Sequence, residues 1–196
     1  DKPIIEHIVE NLRIQGFKNF FITTHYEYEI IQQHFQQKRY ADINIEFFIE
    51  EEPLGTAGSL FLLKEKINSD FIVMNSDLLT KINFRNLLSF HQQHNGAGTI
   101  CTKDYQFQVP YGVVCSDNMS LSKILEKPTY SYLVNAGVYC FGNKILNYID
   151  TKEYLDMPTF LQKLLGKDEK INIFPIHEHW IDIGNMSDYK KVQLTN

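Results

Sequence analysis

Apolar and polar positions alternate along this chain in two rhythms, one helical and one extended, and the rhythms take turns. Ile4, Ile5, Ile8, Val9 and Leu12 fall on one helical face, with Pro3 in the first turn and Gly16 past the end, so the spacing predicts an opening helix. Residues 19–23 read as a short buried strand, 26–37 as a helix, and 44–49 as a strand of β-branched and aromatic residues. A helix over 54–67, a strand over 71–74, a helix over 83–94 and a strand over 98–102 follow. Short connections between alternating strands and helices imply a mainly parallel sheet covered on both faces. From Tyr111 the rhythm changes. Residues 112–115, 121–126 and 135–141 are strand-like runs separated by turn residues with no long helix between them, which predicts an antiparallel insertion. Helices over 144–149 and 157–165, a strand over 170–176, the segment 180–184 and a closing helix from about Ser187 complete the pattern. The expected fold class is therefore α/β: a doubly wound, mainly parallel, Rossmann-like sheet with helices on both faces and a small antiparallel insertion.

With 196 residues and 43% hydrophobic content the chain can bury a full core as one domain, 1–196. An α/β domain more often opens on a strand than on a helix, so a first strand and its loop are expected upstream of Asp1, and the domain is read as incomplete at its amino end. Nineteen basic residues against 24 acidic ones give a net charge of −5 without a Lys/Arg block, which argues against nucleic acid and anionic membrane as partners. No window approaches the roughly 20 apolar residues of a membrane span and no signal-like start is present, so a cytoplasmic location is expected. Cys101, Cys115 and Cys140 are odd in number and lie in apolar runs, which favours buried free thiols.

Candidate chemistry is concentrated in a few segments. Asp77 closes the apolar run from Phe71, and Asp182 sits in the run from Trp180 to Gly184; each would lie at the carboxyl end of a strand, where α/β sheets bind ligands. Two such carboxylates suit a hard divalent cation such as Mg²⁺. Asp77 alone reads more commonly as a helix cap or turn former, and the pairing with Asp182 shifts the reading toward a metal. Asp182 points opposite to Ile181 and Ile183, and a carboxylate in an apolar strand needs a partner, of which a metal is one. Gly55, Thr56, Ala57 and Gly58 form a turn where a base and ribose can approach the backbone, with Glu51 or Glu52 as an acceptor for guanine N–H groups. The same small residues also let a helix pack close to a sheet. Glu126 and Lys127, followed by Pro128, are either a solvated edge or a grip in which Lys127 holds a phosphate and Glu126 sugar hydroxyls. Asn135, before Ala136 and Gly137, either reads hydroxyls or makes a turn. His91 with His94 and His177 with His179 lack a third clear ligand and read as solvated faces.

Taken together, these segments make the chain resemble the sugar-phosphate nucleotidyltransferases, and within them the mannose-1-phosphate guanylyltransferase-like branch. The resemblance implies that 54–58 is the base and ribose loop and that Asn75, Ser76 and Asp77 form the first metal-binding turn. It further implies that Tyr111 to Val114 with Gly112, Glu126 to Pro128, and Asn135 to Gly137 line the sugar-phosphate pocket, and that the Trp180 to Gly184 segment carries the second metal ligand. Asp77, Asp182 and Lys127 become the catalytic set, Mg²⁺ the cofactor, and a nucleoside triphosphate, with GTP favoured, and a sugar 1-phosphate the partners, a homo-oligomer being possible. Two features depart from the family: its Gly-rich triphosphate loop would lie upstream of Asp1, and Ser76 and the Asn185-Met186 pair replace a usual glycine and Thr-Pro. The 196-residue polypeptide is therefore expected to bind a nucleotide-sugar weakly without measurable turnover. A non-catalytic regulatory subunit that binds nucleotide-sugars is the alternative. A glycosyltransferase of related fold ranks third, because residue 75 is Asn where that class carries the first Asp of an Asp-x-Asp pair.

Overall fold

The computed structural model describes residues 2–184. The opening helix α1 spans Ile4–Ile14 and ends where Gly16 takes φ +90°, a left-handed conformation that glycine adopts without a Cβ penalty. Strand β1 (Asn19–Thr24), helix α2 (Tyr28–Phe35) and strand β2 (Asn44–Ile49) follow, and β1 and β2 pair in parallel from Asn19↔Asn44 to Thr24↔Ile49. This is the expected β-α-β order. Val9, Phe20, Phe35 and Tyr40 form its core.

The helix expected over 54–67 is instead a single turn, α3 (Gly55–Gly58), running into a 3-10 segment, Ser59–Leu63. The cause is nonlocal: the N–H groups of Ala57 and Gly58 donate to Leu155 O at 3.0 and 2.9 Å, which anchors α3 to another part of the chain. Strand β3 (Phe71–Met74) occupies its expected positions, and a short strand β4 (Leu78–Thr80), which the sequence rhythm does not reveal, comes directly after the turn at 75–77. Helix α4 (Phe84–Gln93) is capped by the Asn83 side chain, which accepts from Asn86 N.

The sheet corrects the expectation of a mainly parallel arrangement. Strand β5 (Gly98–Gln108), the hairpin β6 (Gly112–Asp117) and β7 (Ser120–Glu126), and the 13-residue strand β8 (Thr129–Phe141) lead to helix α5 (Met157–Leu165), strand β9 (Ile171–Ile176) and strand β10 (Trp180–Asp182). The four-stranded sheet has the order β3-β8-β5-β9, with β8 antiparallel to both of its neighbours and only β5–β9 parallel; β1–β2, β4–β10 and β6–β7 are separate two-stranded ladders. The reason lies in β8, which is more than part of an insertion. Ala136 to Phe141 are all buried, and such an unbroken buried run belongs in the centre of a sheet, so the returning strand enters between β3 and β5.

Helices on both faces are present as expected. Tyr139 and Phe141 face α5 and the 59–63 turn through Leu60, Leu63, Phe160 and Leu164, while Ala136, Val138 and Cys140 face α4 and β9 through Phe84, Leu87 and Ile176. Residues 143–148 form a 3-10 segment where an α-helix was expected. Cys101 and Cys140 are buried free thiols; burial pushes the Cys101 thiol well above its ordinary value and the Cys140 thiol up to about 12, so both stay protonated at neutral pH. The closing helix expected from Ser187 lies outside the described residues. Among the described residues no helix is long and apolar enough to cross a membrane.

Candidate active site

The turn after β3 and the end of β10 meet. Strand β10 pairs antiparallel with β4, placing Asp182 opposite Leu78, and Ile183 N donates to Asp77 O at 2.8 Å. The two predicted carboxylates therefore converge. Asp77 Oδ2 and Asp182 Oδ1 lie 2.9 and 3.1 Å from the point where a Cβ on Gly184 would stand. A glycine leaves that point open. Asp182 Oδ1 also accepts from Gly184 N at 3.0 Å.

Two buried oxygens in this turn, Asp77 Oδ1 and Asn75 Oδ1, have no hydrogen-bond partner among the described residues. A buried carboxylate oxygen without a donor is costly, and a cation is the natural compensation. The donor set fits Mg²⁺: all oxygen, few protein ligands, and space for phosphate or water at the remaining positions. No group of three or more His, Cys, Asp or Glu side chains suited to a metal occurs among the described residues.

A buried chain of small contacts sets the turn. The β5–β8 ladder shifts register between Ile100 and Thr102, and Gly137 takes φ +67°. Gly137 O accepts from Asn75 N at 3.0 Å, and the absent side chain lets Asn75 and Leu78 approach closely. Asn135 holds this irregularity: its Oδ1 accepts from Gly137 N at 2.9 Å, and its Nδ2 donates to Tyr139 Oη at 2.6 Å. Both ends of the Asn135 amide are thus engaged within the protein, two residues before Gly137, whose carbonyl meets the 75–77 turn. The backbone role of Gly137 and the tie to Tyr139 are site features that the sequence reading did not assign; the bulge has no local sequence signal beyond an Ala-Gly pair.

The glycine turn is placed as follows. Gly55 has φ +73°, and a Cβ on Gly58 would lie 2.5 Å from Glu153 O, so the small residues at 55 and 58 accommodate the 153–155 segment. Ala57 and Gly58 are buried. Gly55 and Thr56 line the same cavity as Asn75, Ser76 and Asp77, which brings the nucleotide candidates and the first carboxylate to one space. Glu50, which the sequence reading passed over for Glu51 and Glu52, shapes the approach by accepting from Leu54 N at 2.9 Å. Glu51 pairs instead with Lys152 at 2.7 Å, which holds its carboxyl below the usual range.

Gly112, Glu126 and Lys127 lie on the exposed β6–β7 hairpin and not on that cavity. Gly112 and Glu126 are directly paired across the hairpin, with Glu126 Oε2 3.2 Å from where a Cβ on Gly112 would be. Lys127 takes φ +44° in front of Pro128, a backbone state disfavoured twice over. Its N–H donates to Tyr111 O at 3.3 Å and its carbonyl accepts from Gln108 Nε2 at 3.1 Å, and these bonds hold the strained residue in place.

The chain matches the Nucleotidyl transferase family over residues 1–196. It is 31% identical to a mannose-1-phosphate guanyltransferase of Kluyveromyces lactis over 96% of this chain and 55% of that protein, and 32% identical to one of Schizosaccharomyces pombe over 96% and 54%. It thus spans about half the length of these relatives. Among solved structures, HddC from Yersinia pseudotuberculosis superposes with a TM-score of 0.74 at 25% identity, covering 97% of this chain and 84% of that one.

Proposed function

The chain belongs to the Nucleotidyl transferase family, and from that premise we propose that it is the catalytic domain of a cytoplasmic sugar-1-phosphate nucleotidyltransferase that joins mannose 1-phosphate, or a close analogue, to GTP. The observation that carries this reading is the convergence of Asp77 and Asp182 on the open space at Gly184, beside two buried oxygens without partners. The lean to guanine and to a manno-sugar rests on the names of the two fungal relatives.

In this reaction an oxygen of the sugar phosphate attacks the α-phosphorus of the triphosphate, the bond to the β-phosphate oxygen breaks, and pyrophosphate leaves. The attacking oxygen is already ionised at neutral pH, so no general base is required and the protein's task is alignment and charge compensation. Asp77 and Asp182 would hold Mg²⁺, which when bound would supply neutralisation of charge on the α-phosphate. Gly55, Thr56, Ala57 and Gly58 seat the base and ribose, with the Thr56 hydroxyl as a polar contact. Gly112 and Glu126 meet sugar hydroxyls, and Lys127, projected by its strained backbone, holds the sugar phosphate as a point charge. Asn135 acts by holding Gly137 and thereby the 75–77 turn, while its exposed edge remains open to a hydroxyl.

Calorimetric titration with GDP-mannose, with and without Mg²⁺, tests the assignment. Binding that strengthens with Mg²⁺ and exceeds that of UDP-glucose is the expected result, accompanied in the natural full-length protein by pyrophosphate release from GTP and mannose 1-phosphate. Absence of GDP-mannose binding under both conditions would overturn it. Mg²⁺-dependent binding without pyrophosphate release from the full-length protein would favour a regulatory subunit.

A further inference from the structure

Strand β8 is irregular at one place, and both carboxylate carriers attach there. Its ladder with β3 ends at Met74↔Val138, and its ladder with β5 passes from Ile100↔Tyr139 to Thr102↔Asn135, so Ala136 and Gly137 have no register partner on either side. A buried strand residue outside its ladders leaves a backbone carbonyl to be satisfied by other means. The two carbonyls freed in this way are taken by different elements. Gly137 O accepts from Asn75 N at 3.0 Å, which seats the turn bearing Asp77. Ala136 O accepts from the Trp180 indole Nε1 at 2.8 Å, which seats the strand bearing Asp182.

We infer that Trp180 is a positioning residue for the carboxylate pair: its N–H fastens β10 to the β8 bulge and thereby fixes where Asp182 stands relative to Asp77. The inference rests on the reading of Asp77 and Asp182 as a cation-binding pair. Strand β10 has three residues and, among the described residues, pairs only with the three-residue β4, a ladder too short to hold a strand firmly by itself. Trp180 lies two residues before Asp182, so both side chains leave the same face of β10, and holding the indole fixes the direction of the carboxylate. The bond from Ile183 N to Asp77 O closes a triangle in which β8, β10 and the 75–77 turn each hold the other two. Two sides of that triangle are main-chain bonds. The third is carried by the Trp180 side chain, so it can be removed with the backbone left intact. The ring also packs on the cluster of Leu78, Ile82 and Phe84, a role that any large aromatic side chain fills. The N–H that reaches a carbonyl on Ala136, a residue with 0% exposure, is what the indole adds, and without it that acceptor is left unpaired.

Two replacements separate the N–H from the ring. Trp180→Phe keeps an aromatic packing group, and benzothienylalanine at position 180 keeps the bicyclic shape with sulfur in place of the N–H. Asn83→Ala, which removes the cap of α4, is the control that destabilises the fold outside the junction. Mn²⁺ is titrated into the natural full-length protein in the presence of GDP-mannose, and amide exchange is followed without metal. The expected result is Mn²⁺ binding about ten- to a hundredfold weaker in both Trp180 variants, the loss typical when a group that orients a metal ligand is removed. Exchange of the Ile183 amide speeds up about tenfold while that of Asn75 is unchanged, because only the β10 side of the triangle has been released. Asn83→Ala lowers Tm and keeps the parent affinity for Mn²⁺. Parent affinity or unchanged Ile183 exchange in the benzothienylalanine variant would overturn the inference, as would an equal loss of Mn²⁺ in Asn83→Ala. Asp182→Asn separates this failure from that of the reading beneath it: Mn²⁺ lost there but retained in the Trp180 variants sinks the positioning role alone, whereas Mn²⁺ retained in Asp182→Asn sinks both.

Discussion

Gly137→Ala probes the backbone irregularity that positions the 75–77 turn. Gly137 has φ +67°, a state that costs a residue with a Cβ roughly 1–2 kcal/mol. The added methyl would also stand 2.7 Å from Leu78 Cδ1 and 3.0 Å from Asn75 Nδ2. Leu78 is 1% exposed and packed among Ile82, Phe84 and Val138, so it cannot rotate away freely. Overpacking of this kind costs about 1–3 kcal/mol, so the two effects together predict a loss of about 2–5 kcal/mol. For a chain of this size that lowers Tm by about 4–20 °C. Gly142→Ala is the matched control: Gly142 has φ −73°, and its nearest contact to an added Cβ is 3.7 Å, so the substitution should be neutral or stabilise by about 0.4–1 kcal/mol. Urea unfolding of the two variants beside the parent protein measures the difference. Equal stability of Gly137→Ala and Gly142→Ala would refute the claim that the turn depends on a left-handed glycine at 137.

Gly184→Ala should leave stability within about 0.5 kcal/mol, since the residue is exposed, but should weaken Mn²⁺ binding about ten- to a hundredfold by placing a methyl between the two carboxylates; unchanged affinity in a Mn²⁺ titration would count against a cation at that point. Lys127→Ala should weaken mannose 1-phosphate binding by about 1.5–3 kcal/mol while nucleotide affinity is retained, and equal losses for both ligands by calorimetry would make Lys127 a structural residue. Glu6 is buried against His34 at 2.6 Å and Arg39 at 3.1 Å. Burial pushes its carboxyl up, but the hydrogen bonds from His34 and Tyr40 and the Arg39 charge outweigh this and leave it below 4.5. A depressed carboxylate contributes stability that is fully present above pH 4.5 and is lost as pH falls through the lower folded value, so Glu6→Gln should flatten the acid limb of a Tm-against-pH curve; an identical limb would exclude the ion cluster as its cause.

Much of the element pattern was legible because it rests on periodicity. Strands at 44–49 and 71–74 and the helix at 157–165 carry unambiguous patterns and appear in those positions. Sheet order was not legible, because pairing is nonlocal: nothing in the residues from Asn135 to Phe141 states that the strand returns between β3 and β5. The same holds for α3, whose amides are drawn to Leu155 O, about a hundred residues away in sequence. At the site, residue types revealed Asp77 and Asp182, and only the β4–β10 ladder brings them together at Gly184. The positive φ at Lys127 and the bonds at each end of the Asn135 amide depend on neighbours beyond the residue itself or on backbone state, and neither leaves a mark in composition.

The most direct test of the account is Mn²⁺ binding followed by electron paramagnetic resonance in the presence of GDP-mannose. The parent protein should hold one Mn²⁺ per chain, and Asp77→Asn and Asp182→Asn should each abolish that binding while Tm stays within a few degrees of the parent value. One tightly held Mn²⁺ per chain in both variants would contradict the assignment of the two carboxylates as the metal-binding pair.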